Sequence, residues 1–199
     1  MNKVLLFNPR SAKYKPRIPN SILSVASSIE GLFEYVIVDG NMETDPWEKI
    51  HAYLAAGGFG YFGCTSMPGP QLKQAIPVSQ NIRSLFPSIK IIWGGYFPSN
   101  QSKAVLSSGY VDFVINGPGE KTFPALLQAL EKNEPFELIH NLIYKSGEQI
   151  IKTAKDELYD PDELPALPYE TLNQFYPVKK YLGKTYLGTK TIAYHSSMG

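Results

Sequence analysis

The sequence predicts a doubly wound α/β domain built on a five-stranded parallel sheet in the order 2-1-3-4-5, followed by a β-hairpin and an extended connector. Three observations predict it. Short apolar runs alternate with segments of helical period five times over residues 1–132. The runs are apolar on both faces, as strands covered by helices on either side must be. Glycine, asparagine or aspartate marks the exit of most of these runs. Right-handed crossovers leave few ways to wind five such units, and the order in which flavodoxins wind them fits best.

The elements follow in turn. Val4 to Asn8 (VLLFN) reads as a buried strand stopped by Pro9. After a polar loop, Asn20-Ser21 is expected to cap a helix whose apolar positions Ile22, Leu23, Ala26 and Ile29 share one face, with Gly31 ending it. Tyr35 to Val38 is the second strand. Asp45-Pro46 opens a helix through Ala56, with proline near the first helical position. Gly60 to Thr65 is a third strand, weakened by Gly63. Gln71 to Phe86 is helical, and Pro77 is expected to kink or break it. Lys90 to Trp93 is a fourth strand, Gln101 to Ser108 a short helix, Val111 to Ile115 a fifth strand, and Thr122 to Lys132 a helix. Beyond that domain, residues 133–199 read differently. Lys145-Ser-Gly-Glu148 joins two short strands as a hairpin. Asp156 to Tyr169, acidic and holding Pro161, Pro165 and Pro168, reads as an extended connector. Lys190 to Met198 reads as a last strand.

Composition narrows the function. Of 199 residues, 43% are hydrophobic and 19% charged, a globular balance. Nineteen Lys and Arg against eighteen Asp and Glu leave a net charge of +1, which gives no electrostatic case for nucleic acid or an anionic membrane. A single cysteine, Cys64, can make neither an internal disulfide nor a Cys-rich metal site. With no cleavable leader pattern and no apolar run of about 20 residues, a cytoplasmic setting is expected.

In an open parallel sheet, ligands bind outside the carboxyl ends of the strands. Four loops meet there: Asn8-Pro9-Arg10, Ser66 to Pro70, Gly94 to Ser99, and Asn116 to Glu120. Three carry glycine, which lets a backbone approach a ligand closely, and three on one rim favour a large flat or elongated ligand. A dinucleotide fingerprint needs G-x-G-x-x-G after the first strand, where this chain has no glycine. A phosphate-binding P-loop is missing as well. The Lys/Arg/Pro-rich first loop is unlike the Ser/Thr/Gly-rich loop of a flavodoxin. A phosphoacceptor would need acidic residues where Asn8 and Cys64-Thr65 stand.

The ordered set VLLFNP, PNSILSVASSIE, SMPGPQ, IIWGGYFPS and VDFVINGPGEKTF resembles the N-terminal cobalamin (vitamin B12)-binding domain of cobalamin-dependent radical SAM enzymes. HNLIYKSGEQIIKT and DELPALPYETL resemble that family's connector, and YHSSMG resembles the segment just before its Cys-x-x-x-Cys-x-x-Cys loop. The resemblance implies cobalamin as the cofactor. It places Ser66, Met67 and Gly69 along the cofactor, Gly94 and Gly95 where the nucleotide tail passes, Ser99 beside them, and Gly117, Gly119 and Glu120 over the tail. Asn8, Pro9, Arg10 and Tyr96 complete the expected rim. It also implies a radical SAM barrel in cis, with S-adenosylmethionine and a [4Fe–4S] cluster in that further part. Methyl transfer or a related radical reaction would be the work of the whole enzyme. One cysteine cannot hold the cluster, so the chain is expected to be a fragment without catalytic or metal-ligating residues of its own. The alternative is a non-catalytic interaction or small-molecule-sensing module on the same fold that has lost cobalamin.

Phe97 stands where the family often has His, Pro118 where it often has Glu, and Pro68 where Thr is more usual. These substitutions bear on side-chain contacts and leave backbone contacts intact. Of three histidines, His51 falls in a helix, His140 beside the hairpin and His195 near the terminus. None falls in a rim loop, so cobalamin is expected base-off without a histidine on cobalt. Cys64 and Trp93 are expected to be core residues.

Overall fold

A computed structural model describes residues 2–11, 16–156 and 161–192. Lys13 and Lys15 of the first loop, part of the connector, and His195 with the end of the expected last strand lie outside the described residues.

Strand β1 (Lys3–Asn8) lies between β2 (Tyr35–Asp39) and β3 (Phe59–Thr65), parallel to both. Strands β4 (Lys90–Gly94) and β5 (Phe113–Ile115) continue the parallel set, giving the expected 2-1-3-4-5. The expectation of only five strands is corrected. Hairpin strands β6 (Leu142–Ser146) and β7 (Gln149–Lys152) join the same sheet antiparallel, making seven strands. The cause is the edge of β5, whose backbone groups would otherwise stand unpaired. The apolar start of β6 suits that place, because Leu142 and Ile143 drop into the cores on opposite faces.

Helices α1 (Asn20–Ile29) and α6 (Thr122–Lys132) cover one face around Leu6, Ile92 and Phe123. Helices α2 (Pro46–Ala56), α3 (Leu72–Leu85) and α5 (Ser102–Ser107) cover the other around Phe7, Phe62 and Trp93. Cys64 and Trp93 are core residues as expected, and Trp93 Nε1 donates to Ser79 Oγ at 3.0 Å.

Local differences have local causes. Helix α3 runs through Pro77, because the bond it lacks would fall on Lys73 in the exposed first turn, where water can serve the carbonyl. Helix α1 begins at Asn20 itself, behind Pro19, with no side-chain cap. Asp45 does cap α2, accepting from Trp47 N at 2.9 Å. The loop after β4 contains a short helix, α4 (Tyr96–Asn100). Strand β5 is shorter than expected because Asp112 turns aside, accepting from Ile91 N and pairing with Arg83.

Beyond Pro168 the chain turns helical. A helix, α7 (Tyr169–Phe175), and a helical turn (Val178–Tyr181) lay Leu172, Tyr176 and Tyr181 into the first core. A small hairpin follows, β8 (Gly183–Thr185) and β9 (Gly188–Thr191). Buried Asp39 anchors this segment. Tyr181 donates to its Oδ2 at 2.8 Å, while Asn8 Nδ2, Asn41 N and Asn41 Nδ2 reach Oδ1 at 2.9, 3.0 and 2.9 Å. The Tyr176 hydroxyl accepts from Asp39 N at 3.1 Å and donates to Glu43 Oε1 at 2.6 Å.

Tyr181→Phe removes a donor from a buried carboxylate, so it should cost roughly 1.5–3 kcal/mol in a urea titration. Burial raises the Asp39 carboxyl above its ordinary value of 3.8, and the hydrogen bonds to Asn41, Tyr181 and Asn8 only partly oppose it. A proton held more tightly in the folded state stabilises fully below the unfolded value, and that stability is lost as pH rises through the folded one. Asp39→Asn should therefore gain on the wild type as pH rises from near 3.8, seen in paired denaturation midpoints.

Candidate functional site

Alternation along β3 turns Tyr61, Gly63 and Thr65 toward α1 and α6. Gly63 has no side chain, the side chains of Leu6 and Phe123 close over it, and a hollow opens beside them. The hollow is a cleft of ≈ 160 Å³ at the carboxyl ends of β1, β3, β4 and β5. Its floor is Leu6, Gly63, Ile92 and Ile115, one residue from each strand. Ile22 and Val25 of α1 and Phe123 of α6 close the sides. Polar groups stand at the edge: Ser21 Oγ and Thr65 Oγ1 are 3.4 Å apart, and Glu120 accepts a hydrogen bond from Ser24 Oγ.

The rim is built from crossing backbones. Ser66 N donates to Gly94 O at 2.9 Å and Phe97 N donates to Ser66 O at 3.0 Å. Gly95 lies against this crossing with φ +97°. A Cβ there would stand 3.0 Å from Ser66 O and 3.1 Å from Ser66 N. Both the dihedral and the backbone contact require glycine. Gly94 is the opposite case: a Cβ would meet only Ile115, at 3.9 Å, so its face toward the cleft is open. Ser99 Oγ donates to Ile115 O at 3.3 Å and accepts from Gly117 N at 3.2 Å, tying the fourth and fifth loops together. Ser66 is fully buried, and its Oγ has no partner among the described residues. A buried hydroxyl without a partner is costly.

Of the expected site residues, Gly94, Gly95, Gly117, Gly119 and Glu120 line the cleft. Ser66 and Ser99 stand just behind the rim and shape it. Met67 and Tyr96 are half or more exposed beside it, and Gly69 is on the same exposed loop with φ +100°. The first loop is not brought to the cleft. The Asn8 amide is spent on Asp39, Pro9 O accepts from Gln71 Nε2 at 3.0 Å, and the Arg10 guanidinium donates to the carbonyls of Gly40 and Glu43. Arg10 therefore braces the second loop.

Sequence reasoning missed Gly63, Thr65, Ser21, Val25 and Phe123 as lining residues. Gly63 carried a usable signal, since a glycine inside a buried strand often marks the close approach of another group. Gln71 was also missed: its Oε1 accepts from Met67 N at 2.7 Å while its amide holds Pro9, so it joins two rim loops. Burial pushes the Cys64 thiol well up, which leaves it a poor nucleophile. Neither described histidine lines the cleft. His51 packs between the rings of Trp47 and Phe86, and His140 stands 3.6 Å from Asp156.

The chain is similar to several known proteins. The anaerobic magnesium-protoporphyrin IX monomethyl ester cyclase of Synechocystis sp. is 27% identical over 110 residues, 55% of this chain and 21% of that protein. The radical S-adenosylmethionine methyltransferase TsrM from Kitasatospora setae superposes with a TM-score of 0.68 at 22% identity, over 79% of this chain and 31% of that one. The cobalamin-dependent S-adenosylmethionine radical enzyme OxsB, solved with aqua-cobalamin and S-adenosylmethionine bound, gives 0.74 at 19% identity, over 88% of this chain and 25% of that one. The chain thus spans about a fifth of the curated relative and less than a third of either structure, and the two structures share its fold. The family model described as "B12 binding domain" matches residues 16–127, from the approach to α1 to the middle of α6. That is more than half of the chain, and the chain belongs to the B12-binding domain family.

Proposed function

We propose that the cleft binds cobalamin, and that the chain is the cofactor-binding part of a radical SAM enzyme serving methyl transfer or a related radical reaction. The observation that carries the reading is the apolar cleft at the carboxyl edge of the sheet, open at Gly94 and edged by the hydroxyls of Ser21 and Thr65. The residues present fit the cofactor's nucleotide arm. Gly94 gives that arm room to pass, Gly117 and Gly119 keep the opposite lip low, and Ser21 and Thr65 offer hydroxyls at the edge. Met67 and Tyr96, exposed on adjacent loops, offer apolar surface to a macrocycle lying across the rim. No described histidine lines the cleft, and in this reading the cofactor is base-off without a histidine ligand. When bound, cobalamin supplies a cobalt centre able to carry a methyl group. This chain's own residues bind and orient the cofactor and keep water from its arm.

Residues 1–132 carry the cofactor cleft in this reading, and residues 133–199 are the hairpin and connector on the way to a barrel that holds S-adenosylmethionine and the [4Fe–4S] cluster. That barrel is the expected partner in cis. Among the described residues, no helix is long and apolar enough to cross a membrane.

Hydroxocobalamin mixed with the chain should co-elute in gel filtration with a shifted visible spectrum; colour that separates completely at micromolar protein defeats the binding claim. Two neighbouring glycines should then respond differently. Gly94→Val adds a side chain where the backbone has room, so the protein should melt like wild type yet bind at least about tenfold more weakly. Gly95→Ala strains a positive φ, and its thermal denaturation should show a loss of roughly 1–3 kcal/mol.

A further inference from the structure

Asparagine is one of the chemically labile side chains. Its amide is lost when the next backbone nitrogen bonds to the side-chain carbonyl carbon, a reaction that a side chain on the next residue obstructs and glycine does not. Asn116-Gly117 is the one Asn-Gly pair in the sequence. Asn8, by contrast, is followed by Pro9, which has no N–H to react. The pair follows β5 at the lip of the cleft. Gly117 is exposed there with φ +122°, and a Cβ on it would meet nothing within 4 Å, so water has free access. The backbone on either side of Asn116 is held. Asn116 N donates to Asn141 O at 2.8 Å, while Ser99 Oγ donates to Ile115 O at 3.3 Å and accepts from Gly117 N at 3.2 Å. The half-buried Asn116 side chain has no hydrogen-bond partner among the described residues. The reacting carbon is therefore free, and the reacting nitrogen is tied to Ser99.

We infer that Asn116 is a site of spontaneous deamidation whose rate is held down by the Ser99 hydroxyl. Gly117 N gives its proton to water and bonds to Asn116 Cγ. The Cγ–Nδ2 bond breaks, and Nδ2 takes up a proton and leaves as ammonia. The five-membered succinimide then adds one water at either of its two carbonyls and opens to aspartate or isoaspartate. One water enters, one ammonia departs, and nothing is oxidised or reduced. The first step carries Gly117 N toward Cγ and away from Ser99 Oγ, so the bond between them must break; at the strength of a neutral hydrogen bond this slows the step about fivefold. Either product sets a negative charge on the lip that Gly117, Gly119 and Glu120 line. Isoaspartate also lengthens the backbone by one carbon, which pulls Gly117 from Ser99 and loosens the tie between the fourth and fifth loops. The pair is a slow, one-way change in the charge of the rim, and Ser99 is its brake.

The test incubates the folded chain in mildly alkaline buffer, below its melting temperature, beside a free synthetic peptide of residues 104–121. Trypsin cuts after Lys103 and Lys121, and the fragment between them holds Asn116 as its one side-chain amide. A gain of one dalton in that fragment therefore locates the change, and chromatography separates its aspartate and isoaspartate forms. Wild type should convert about fivefold or more slowly than the free peptide, and Ser99→Ala about fivefold faster than wild type. Ser99→Thr, which keeps the hydroxyl, should match wild type, and Asn116→Gln should show no gain. The inference is overturned if wild type shows no gain by the time the free peptide has converted completely, if it converts as fast as the peptide, or if Ser99→Ala converts no faster than wild type. Ser99→Ala should leave the fragments carrying the other asparagines at their wild-type rates; a rise in all of them marks general unfolding and overturns the role given to Ser99. Should Ser99→Ala not fold, Ser99→Cys puts a weak acceptor in place of the hydroxyl, and the same outcomes decide.

Discussion

Two backbones cross at the carboxyl edge of the sheet, where Gly95, at φ +97°, lies so close to Ser66 that a Cβ would be crowded at 3.0 Å from Ser66 O. The Ser66 N–H to Gly94 and the Phe97 N–H to Ser66 carry the β3–β4 pairing beyond the strands into their loops. That continuation fixes the height of the rim. It leaves Gly94 facing the cleft, buries the Ser66 hydroxyl without a partner, and sets Ser99 where it can hold both Ile115 and Gly117. An ordinary residue at position 95 would push the two loops apart and undo each of these placements.

The same edge is braced from behind. Gln71 holds the loop of Met67 to the end of β1, Gln74 accepts from Arg10 N at 2.7 Å, and Arg10 clamps the carbonyls of the second loop. Asp39 then joins the end of β2 to the connector through Tyr181 and Tyr176. Asn8 and Arg10, expected at the ligand, instead help to lock these loops into one frame. A buried carboxylate with this many donors contributes more to uniqueness of position than to net stability.

The sheet order was legible because apolar runs and turn residues report directly on strands and their exits. The hairpin's destination was not, because whether two short strands stand apart or join a sheet depends on an edge that only the assembled fold exposes. Tyr176 and Tyr181 were unreadable as anchors for the same reason: their partner, Asp39, lies 142 and 137 positions from one or the other hydroxyl. At the site, glycine-bearing loops were readable, since glycine is where backbone geometry shows in sequence. Arg10 misled because a basic residue on a rim looks free until its carbonyl partners are placed. Gly63 reads in sequence only as a weakness of β3, and its place in the lining of the cleft depends on the assembled sheet.

Amide hydrogen exchange on the chain, with and without saturating hydroxocobalamin, tests most directly whether this edge receives the cofactor. Slower exchange should appear in the loops at 66–69, 94–99 and 116–120 and at the start of α1, with the opposite ends of the strands unchanged. Protection centred on the β8–β9 hairpin or on the amino ends of the strands, with these loops unaffected, would contradict the account.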